Sequence, residues 1–474
     1  MSQRAYTPKP AEIGGLGPLG LAYLEGRLRQ TPLRGAFRPS RREDVQALAE
    51  LSPEDRRSAA RAGLAALRAG EVAFGILAAG ASTRMNLDSI PPAARRLVDR
   101  TGKPKIASKA MVPVVEMDGQ ALSFLDLFFL NVARLSKETR SSNPALLLVS
   151  EANAGEIGSH LESRGRFGLS PENVVSFRQS LDHQVIATAA DVERAHRNFS
   201  SESELESALA LSRVFAGHDL AVPKPAGHGE FLHQLVSSGT FGRLLARGTR
   251  YVSIRNIDNV GALLDDNWLV ILGRLVETGE NFILEVSRRP DGPAGKGGAL
   301  ILRPNGDFQV AEDPALEGTG TSPRDSYYIN DATAILKVDT LFRIYETSAR
   351  EIREASPQRL REIAERGRRK FPPLLDVKPV RLPSGAAAGA FVRETNLWES
   401  TGVEGSLGVG AIGVVSVKDV EQGLAALSPA DRERCALSVR FVATKKWEDY
   451  EGINARLVPY LARRALEGPL LGDG

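Results

Sequence analysis

Short apolar segments of strand character alternate with amphipathic helical segments along most of the chain, and this alternation constrains the fold more than any other feature. Helical patterns such as SFLDLFFLNVARLS (123–136) and ALLDDNWLVILGRLVETG (262–279) separate the strands. The alternation predicts an α/β, Rossmann-like fold with a mixed, mostly parallel sheet flanked by helices, in which ligands bind beyond the carboxyl ends of the strands. The strand candidates are EVAFGILAAG (71–80), NPALLLVS (143–150), ENVVSF (172–177), TRYVSIRN (249–256), ENFILEVS (280–287), GGALILR (297–303) and DSYYIN (325–330).

The first 70 residues have helical spacing and precede the α/β pattern. Within them, SPED (52–55) is typical of a helix start, with a serine cap, proline at the first helical position and acids in the first turn. Gly15, Gly17 and Gly20 match the dinucleotide-binding fingerprint, but that fingerprint needs a buried strand before it, and here only A-E-I (11–13) precedes it and Pro18 lies inside it. We therefore interpret them as a flexible, glycine-rich entry segment.

A charged stretch follows the strand pattern, with the sequence DTLFRIYETSAREIREASPQRLREIAERGRRK (339–370). Its alternating charges predict an exposed, solvated helical face. A further helix is expected after Asp449.

Charge and composition exclude several classes of protein. The 474 residues contain 61 Lys and Arg against 58 Asp and Glu, a balance that argues against general nucleic-acid binding. No apolar run is long enough to cross a bilayer, and the single cysteine, Cys435, excludes an internal disulfide or a multi-thiolate metal site. A cytoplasmic protein with no nucleic-acid or membrane partner is expected; the oligomeric state is left open.

The first segment with chemical character ends the strand that begins at residue 72. Leu77, Ala78, Ala79 and Gly80 lead into A-S-T-R-M, and small residues at such a place let backbone N–H groups approach a phosphate. Arg84 adds a planar cation suited to phosphate oxygens. This loop alone could equally be a tight structural turn.

A lysine precedes the next extended segment, in S-K-A-M-V-P-V (108–114). Lys109 could direct its ammonium group at phosphates bound by the first loop, although most lysines are simply solvated. Lys103 and Lys105 are close alternatives.

These two segments resemble the opening of the sugar-1-phosphate nucleotidylyltransferases. Later segments resemble the eukaryotic UDP-glucose pyrophosphorylase type of uridylyltransferase, in the same order along residues 72–450. They are P-A-G-H-G-E (225–230), N-I-D-N-V-G-A (256–262), E-V (285–286) with K-G-G (296–298), and R-F with a following lysine (440–445).

The resemblance implies a GT-A-like nucleotide-diphospho-sugar transferase fold that makes a UDP-sugar and pyrophosphate from UTP and a sugar 1-phosphate, with Mg²⁺. It suggests an N-terminal helical segment (1–70), a catalytic domain (71–400) and a C-terminal region (401–474) that closes the site. The β-helix domain typical of the family is not expected in this sequence. Glucose 1-phosphate is favoured as substrate, and other UDP-sugars, including UDP-N-acetylhexosamine, stay open.

The resemblance implies that Lys109 and Lys445 correspond to the two lysines that act on the phosphates in this family, and Arg84 is expected to act beside them. We expect Lys109 and Lys445 to meet Asp258 around one triphosphate. The family usually has proline before the first lysine, whereas here Ser108 precedes Lys109 and the Pro-Lys pair ends at Lys105. Lys109 is preferred because the residues after it keep the family's register.

Asp258 follows a β-branched, aromatic strand, so its carboxylate is predicted to face the ligand crevice. Mg²⁺ often takes only one or two protein carboxylates, with phosphate and water oxygens completing its shell, so Asp258 alone could serve. The alternative is an Asx turn. Asn256, two residues earlier on the same strand face, could bind a sugar hydroxyl or a phosphate.

The remaining predicted contacts follow from the resemblance. The Gly227 backbone contacts uracil, His228 contacts the sugar 1-phosphate, and the amide of Gln179 reads the N3–H and O4 edge of the base. Glu285 is a substrate-binding candidate. For the family's sugar-contacting asparagine both Asn330 and Asn396 are candidates; we favour Asn330.

Two other functions are compatible with part of this pattern. A glycosyltransferase would also bind a nucleotide sugar beside a parallel sheet, but it usually needs a D-x-D pair and residues 256–258 read N-I-D. A sugar-nucleotide sensor without catalysis would fit the departures around Ser108 and Asn330.

Overall fold

The structure is a computed structural model. It describes residues 12–28, 30, 33–80, 90, 92–100, 106, 108–221, 224–290, 297–371, 373–403, 407–424, 427–444, 447–449 and 456–467.

A central mixed sheet organises the described part of the chain, as predicted. Its main run of strands has one antiparallel member, Tyr328–Lys337, which lies between two parallel groups. A hairpin of Ala299–Leu302 and Phe308–Ala311 joins the start of that strand, with Arg38–Pro39 at its edge. The order across the main run is Val174–Arg178, Ala145–Val149, Val72–Leu77, Tyr251–Asn256, Tyr328–Lys337, Phe282–Arg288 and Val409–Gly413.

Continuous burial explains why the central strands read as uninterrupted apolar runs. All six residues of Val72–Leu77 are buried, as expected for a parallel strand covered by helices on both faces. The predicted helices are present as Phe124–Thr139 and Asp266–Glu277, capped by the side chains of Ser123 and Asp265.

The predicted helix start in the N-terminal part is confirmed, because Ser52 Oγ accepts a hydrogen bond from the Asp55 N–H at 3.1 Å. The resulting helix, Pro53–Arg68, packs closely on Asp266–Glu277. A Cβ on Gly273 would lie 1.7 Å from the Ala59 carbonyl oxygen, so only glycine permits this approach. The predicted domain boundaries at 70 and 400 stay predictions.

The charged stretch 339–370 differs from the prediction. It breaks into three helices, Asp339–Tyr345, Ala349–Glu354 and Pro357–Arg368, rather than one solvated face. Tyr345 and Ile363 are fully buried in the core. The apolar residues among the charges therefore form a second, inward face that the charge pattern concealed.

A smaller antiparallel sheet, the small sheet, lies beside the central one. Its strand order is Ile13–Leu16, His218–Leu220, Val185–Ile186, Ala387–Glu394 and Leu374–Arg381. The glycine-rich entry segment was predicted to be flexible, and this is wrong: it forms the first of these strands and the helix Pro18–Leu24. A Cβ on Gly20 would lie 1.7 Å from the Gly217 carbonyl oxygen, so tight packing against the neighbouring turn requires that glycine.

Other helices complete the layers around the sheets, and the last of them supplies the helix expected after Asp449. They are Pro92–Arg100, Glu151–Ser163, Ala189–Arg194, Glu202–Phe215, Glu230–Ser237, Thr240–Ala246, Asp313–Leu316, Val417–Leu424, Pro429–Ser438, Trp447–Asp449 and Val458–Glu467. Among the described residues, three two-stranded sheets join Pro113–Met117 to Gln120–Ser123, Leu181–Asp182 to Lys224–Pro225, and Val415–Ser416 to Val439–Phe441. Within the described ranges no helix has the length and apolarity needed to span a bilayer.

Candidate active site

Polar residues gather where the parallel strands of the central sheet end. Leu77 and Asn256 are paired in register at the ends of neighbouring strands, and Gln179 follows the end of Val174–Arg178. Asn330 joins the same edge because its strand runs the other way and pairs with Val286. The topology thus places side chains far apart in sequence at one edge, as the α/β prediction required.

The central contact of the site joins two predicted residues that are 149 positions apart. Lys109 Nζ lies 2.6 Å from Asp258 Oδ2, and both side chains are mostly buried, with 14% and 13% of their surfaces exposed. A charge pair at that distance interacts more strongly in a partly enclosed site than in water. Arg84, Lys105 and Lys445, predicted to act beside it, lie outside the described residues.

Hydrogen bonds hold the Lys109 segment against the residues that follow the strand Val72–Leu77. Lys109 N–H donates to the Gly80 carbonyl oxygen at 3.3 Å, and Ser108 N–H donates to Glu156 Oε2 at 3.1 Å. Asn153 Nδ2 donates both to the Ala78 carbonyl oxygen at 2.8 Å and to Ser108 Oγ at 3.0 Å. Serine therefore makes contacts here that the proline usual in the family could not, since proline has neither an N–H nor a hydroxyl group.

The C-terminal segment pairs with the loop that carries Asp258. Thr444 N–H donates to the Asp258 carbonyl oxygen at 3.1 Å, and Val260 N–H donates to the Val442 carbonyl oxygen at 3.1 Å. Between them, Val442 N–H donates to Asn259 Oδ1 at 2.9 Å. The chain is thus fixed beside Asp258 up to the residue before Lys445.

A second ion pair lies deeper at the same edge. Arg440 Nε and Nη2 each donate to a carboxylate oxygen of Glu285 at 2.8 Å, and Arg440 Nη1 contacts Asp265 at 3.1 Å. Arg440 and Glu285 are about 1% exposed. Burial alone would lower the pKa of Arg440, but the two carboxylates raise it above its usual value.

That arrangement bears on the prediction that Glu285 binds substrate. Both of its carboxylate oxygens accept hydrogen bonds from Arg440, so in the described geometry the partner of Glu285 is a protein side chain. Sequence reasoning singled out both motifs but missed their contact. The opposite charges of Arg440 and Glu285 were the available signal, but their positions in the sequence could not show that these two residues pair with each other.

The predicted base-binding loop is shaped by glycine. Gly227 has φ of +109°, and a Cβ there would lie 2.3 Å from the Thr395 carbonyl oxygen. Thr395 also accepts a hydrogen bond from Gly229 N–H at 2.9 Å. The loop therefore packs directly against the backbone at Thr395.

His228 is held in one tautomer. Its Nδ1 accepts a hydrogen bond from Leu397 N–H at 3.0 Å. Burial, with repulsion from the Lys378 ammonium group, lowers the pKa of His228 to about 4. The imidazole is consequently neutral near pH 7, and its proton lies on Nε2, where it can be donated to an oxygen.

Gln179 and the two asparagine candidates differ in how far the protein occupies them. Gln179 is 4% exposed, and its backbone N–H donates to the Val149 carbonyl oxygen at 2.7 Å, fixing its position beyond the sheet edge. In Asn396, Oδ1 accepts from Trp398 N–H and Nδ2 donates to Glu312 Oε1, both at 2.9 Å. Asn330 Oδ1 accepts from Ala332 N–H at 3.2 Å.

Behind the base-binding loop lies a cavity of about 1500 Å³, whose lining includes Ala226, Thr395 and Glu399. Glu399 is 7% exposed. Burial, with repulsion from Glu312, raises the pKa of Glu399 to about 8, so this carboxyl group is neutral at pH 7. Nothing in the sequence indicated this group, because its burial depends on the tertiary fold.

Comparison with known proteins relates part of this chain to one family. The profile of the UTP–glucose-1-phosphate uridylyltransferases matches residues 203–322. A UTP–glucose-1-phosphate uridylyltransferase from Musa acuminata is 26% identical over 273 residues, which are 57% of this chain. The chain spans half the length of that relative.

Solved structures share the fold at low identity. The UDP-glucose pyrophosphorylase of Leishmania major, crystallised as a variant with UDP-glucose, aligns with a TM-score of 0.53 and 16% identity over 91% of this chain and 73% of its own. A protein of Entamoeba histolytica assigned as UDP-N-acetylglucosamine pyrophosphorylase aligns with a TM-score of 0.52 and 14% identity over 80% and 81%.

Proposed function

We propose that this chain transfers UMP from UTP to a sugar 1-phosphate, most simply glucose 1-phosphate, on the premise that residues 203–322 match the model of the UTP–glucose-1-phosphate uridylyltransferase family. The observation that carries the proposal is the contact between Lys109 and Asp258 at the carboxyl edge of the sheet. It joins two residues that the family resemblance assigns to the same triphosphate.

The reaction needs no nucleophilic side chain. A phosphate oxygen of the sugar 1-phosphate forms a bond to the α-phosphorus of UTP, while the bond from that phosphorus to the bridging oxygen breaks. Pyrophosphate leaves with the electron pair. Catalysis of such a displacement depends mainly on positioning and on stabilising developing negative charge.

Lys109 supplies fixed positive charge for this purpose. Hydrogen bonds between its segment and residues 78–80 fix the backbone that carries it, so the ammonium group need only exchange Asp258 for substrate oxygens. Lys445 is proposed to add a second cation, since Thr444 is hydrogen-bonded to Asp258.

The donor set at Asp258 fits Mg²⁺. No cluster of three or more His, Cys, Asp or Glu side chains occurs in the described ranges, and Mg²⁺ commonly takes one protein carboxylate with phosphate oxygens. When bound, the ion would neutralise phosphate charge. Asp258 would hold it, with its orientation fixed by the backbone bond to Thr444.

The base and the sugar phosphate are proposed to bind neighbouring residues of the loop at 227–228. The Gly227 backbone and the Gln179 amide would recognise uracil, while His228 Nε2–H would donate to the sugar phosphate. Because the pKa of His228 is about 4, this donor stays neutral and is unchanged across the physiological range.

Glucose 1-phosphate is the first candidate because it is the substrate in the name of the Musa acuminata relative. The Entamoeba fold neighbour keeps N-acetylglucosamine 1-phosphate, or a broader specificity, as the second. Asn256 and Asn330 are proposed to contact the sugar.

The test is a panel of sugar 1-phosphates with UTP and Mg²⁺, followed by pyrophosphate release, with CTP and ATP as controls for base choice. We expect turnover with UTP and with one or more hexose 1-phosphates. If the protein binds UDP-glucose tightly but catalyses neither pyrophosphate release nor the reverse reaction, it is instead a sugar-nucleotide sensor. No turnover across the panel would reject the transferase.

A further inference from the structure

Two buried asparagines connect the segments that carry the predicted lysines to the ends of the central strands. Asn153 and Asn259 are each about 1% exposed. Neither belongs to the predicted set of substrate-contacting residues. Each makes three hydrogen bonds, and each set joins different segments of the chain.

Asn153 links Ala78, the residue after the strand Val72–Leu77, to Ser108, which precedes Lys109. Its Nδ2 donates to the Ala78 carbonyl oxygen and to Ser108 Oγ, while its Oδ1 accepts from Ser150 N–H at 2.8 Å. A backbone donor and a backbone acceptor fix which end of the amide is oxygen. The two bonds between segments are therefore both donated ones.

Asn259 has the opposite polarity. Its Oδ1 accepts from Val442 N–H at 2.9 Å and from Gly261 N–H at 3.2 Å, while its Nδ2 donates to Thr333 Oγ1 at 3.2 Å. The bond to the C-terminal segment, which ends at the residue before Lys445, is thus an accepted one. Asn259 also follows Asp258 directly.

We propose that Asn153 and Asn259 are positioning residues that hold the Lys109 segment and the 440–444 segment against Asp258. The proposal rests on the proposed uridylyl transfer for its catalytic consequence. Its structural part stands on the hydrogen bonds alone. A misplacement of about 1 Å at a reacting group can cost about 100-fold in rate, which is the scale at issue.

Asn131 provides a matched control. It is fully buried, its Oδ1 accepts from Leu264 N–H at 2.9 Å, and its Nδ2 donates to the Ala465 carbonyl oxygen at 2.9 Å. It therefore bonds two backbone segments as the other two asparagines do, but it contacts neither lysine segment. Asn131→Ala measures the cost of losing such an amide from the fold alone.

The first measurement is kinetic. Asn153→Ala and Asn259→Ala should lower kcat about 10- to 100-fold with KM for UTP changed less than about threefold. Asn131→Ala, with a comparable loss of thermal stability, should keep kcat within about threefold of wild type. Equal kcat losses in all three variants, or none at 153 and 259, would overturn the proposal.

The second measurement is hydrogen exchange of the backbone amides, which does not depend on activity. Asn259→Ala should reduce protection at least tenfold at Val442 and Thr444, and Asn153→Ala should do so at Ser108 and Lys109. Unchanged protection at these amides would overturn the proposal. If wild type shows no turnover, the proposed function fails separately, while the exchange result still decides whether the asparagines hold the segments.

Aspartate variants sharpen the test, because aspartate keeps the size of the asparagine side chain but replaces its donor by an oxygen. Asn259→Asp keeps the oxygen that accepts from Val442, so protection at 442–444 should stay near wild type. Asn153→Asp loses the donor to the Ala78 carbonyl oxygen, which a carboxylate oxygen cannot replace, so protection at 108–109 should fall. The same result at both positions would contradict the assigned polarities.

Discussion

Two ion pairs lie at the same edge of the central sheet and differ in how completely the protein encloses them. Lys109 and Asp258 share one short contact, and each keeps more than a tenth of its surface exposed. Arg440 and Glu285 share two contacts, with Asp265 as a third partner, and are almost wholly buried.

The difference separates a pair that a ligand can reach from one that it cannot. When the first pair opens, substrate oxygens can replace Asp258 as the partner of the Lys109 ammonium group. Opening the second would leave charges buried without partners, which is strongly destabilising. We therefore assign chemistry to the first pair and maintenance of the segment before Lys445 to the second.

The largest expected effect is on stability at the deeper pair. Arg440→Leu should lower the free energy of unfolding by about 3–5 kcal/mol, because Glu285 and Asp265 lose their buried partner. Arg434, an exposed arginine paired with Asp431, is the control, and its leucine variant should cost less than about 1 kcal/mol. Urea unfolding measures both; equal costs would remove the distinction between an enclosed and an exposed pair.

At the outer pair the effect should fall on turnover instead. Lys109→Ala should lower kcat about 10²–10³-fold, the typical cost of losing one preorganised charge donor, with a smaller loss of unfolding free energy than Arg440→Leu, because this pair is less enclosed. Lys137→Ala, at an exposed helix position, is the neutral control. If Lys105→Ala is the inactive variant and Lys109→Ala is not, the register assigned to the first lysine is wrong.

A smaller, pH-dependent effect is expected behind the base-binding loop. The pKa of Glu399 is raised from 4.5 to about 8, so the unfolded chain releases this proton first and stability falls as pH rises from about 4.5 to about 8. Glu399→Gln should remove that fall, so that it stabilises the protein at pH 8 and changes its stability little at pH 4. Exposed Glu433→Gln is the control in thermal unfolding at both pH values. A variant with the wild-type pH slope would show that Glu399 is charged.

The smallest effect distinguishes the two asparagine candidates for sugar binding. Asn330→Ala should lower kcat/KM for the sugar 1-phosphate about tenfold, or about 1.4 kcal/mol, mainly through KM. Asn396→Ala should act chiefly on stability, since its amide is occupied by Trp398 and Glu312. The reverse pattern would move the sugar contact to Asn396.

Much of this arrangement was accessible from the sequence. Apolar runs predicted the central strands, and the SPED signature predicted the helix at Pro53, because both depend on local chemistry. Motif order predicted that Lys109 and Asp258 belong to one site. The glycine-rich entry and the 339–370 stretch were misread, because a neighbouring turn and a buried face decided their conformation.

Local composition by itself determined the alternation of strands and helices, the polar residues at strand ends and the order of the family motifs. It could not determine which of those residues touch, since contacts across 149 positions depend on how the sheet is assembled. Only the tertiary structure decided that Arg440 occupies Glu285, that Ser108 is bonded to Asn153 and Glu156, and that the segment before Lys445 pairs beside Asp258. The physical reason is that charge, hydrogen-bonding capacity and residue size are properties of single residues, whereas burial and distance are properties of the packed chain.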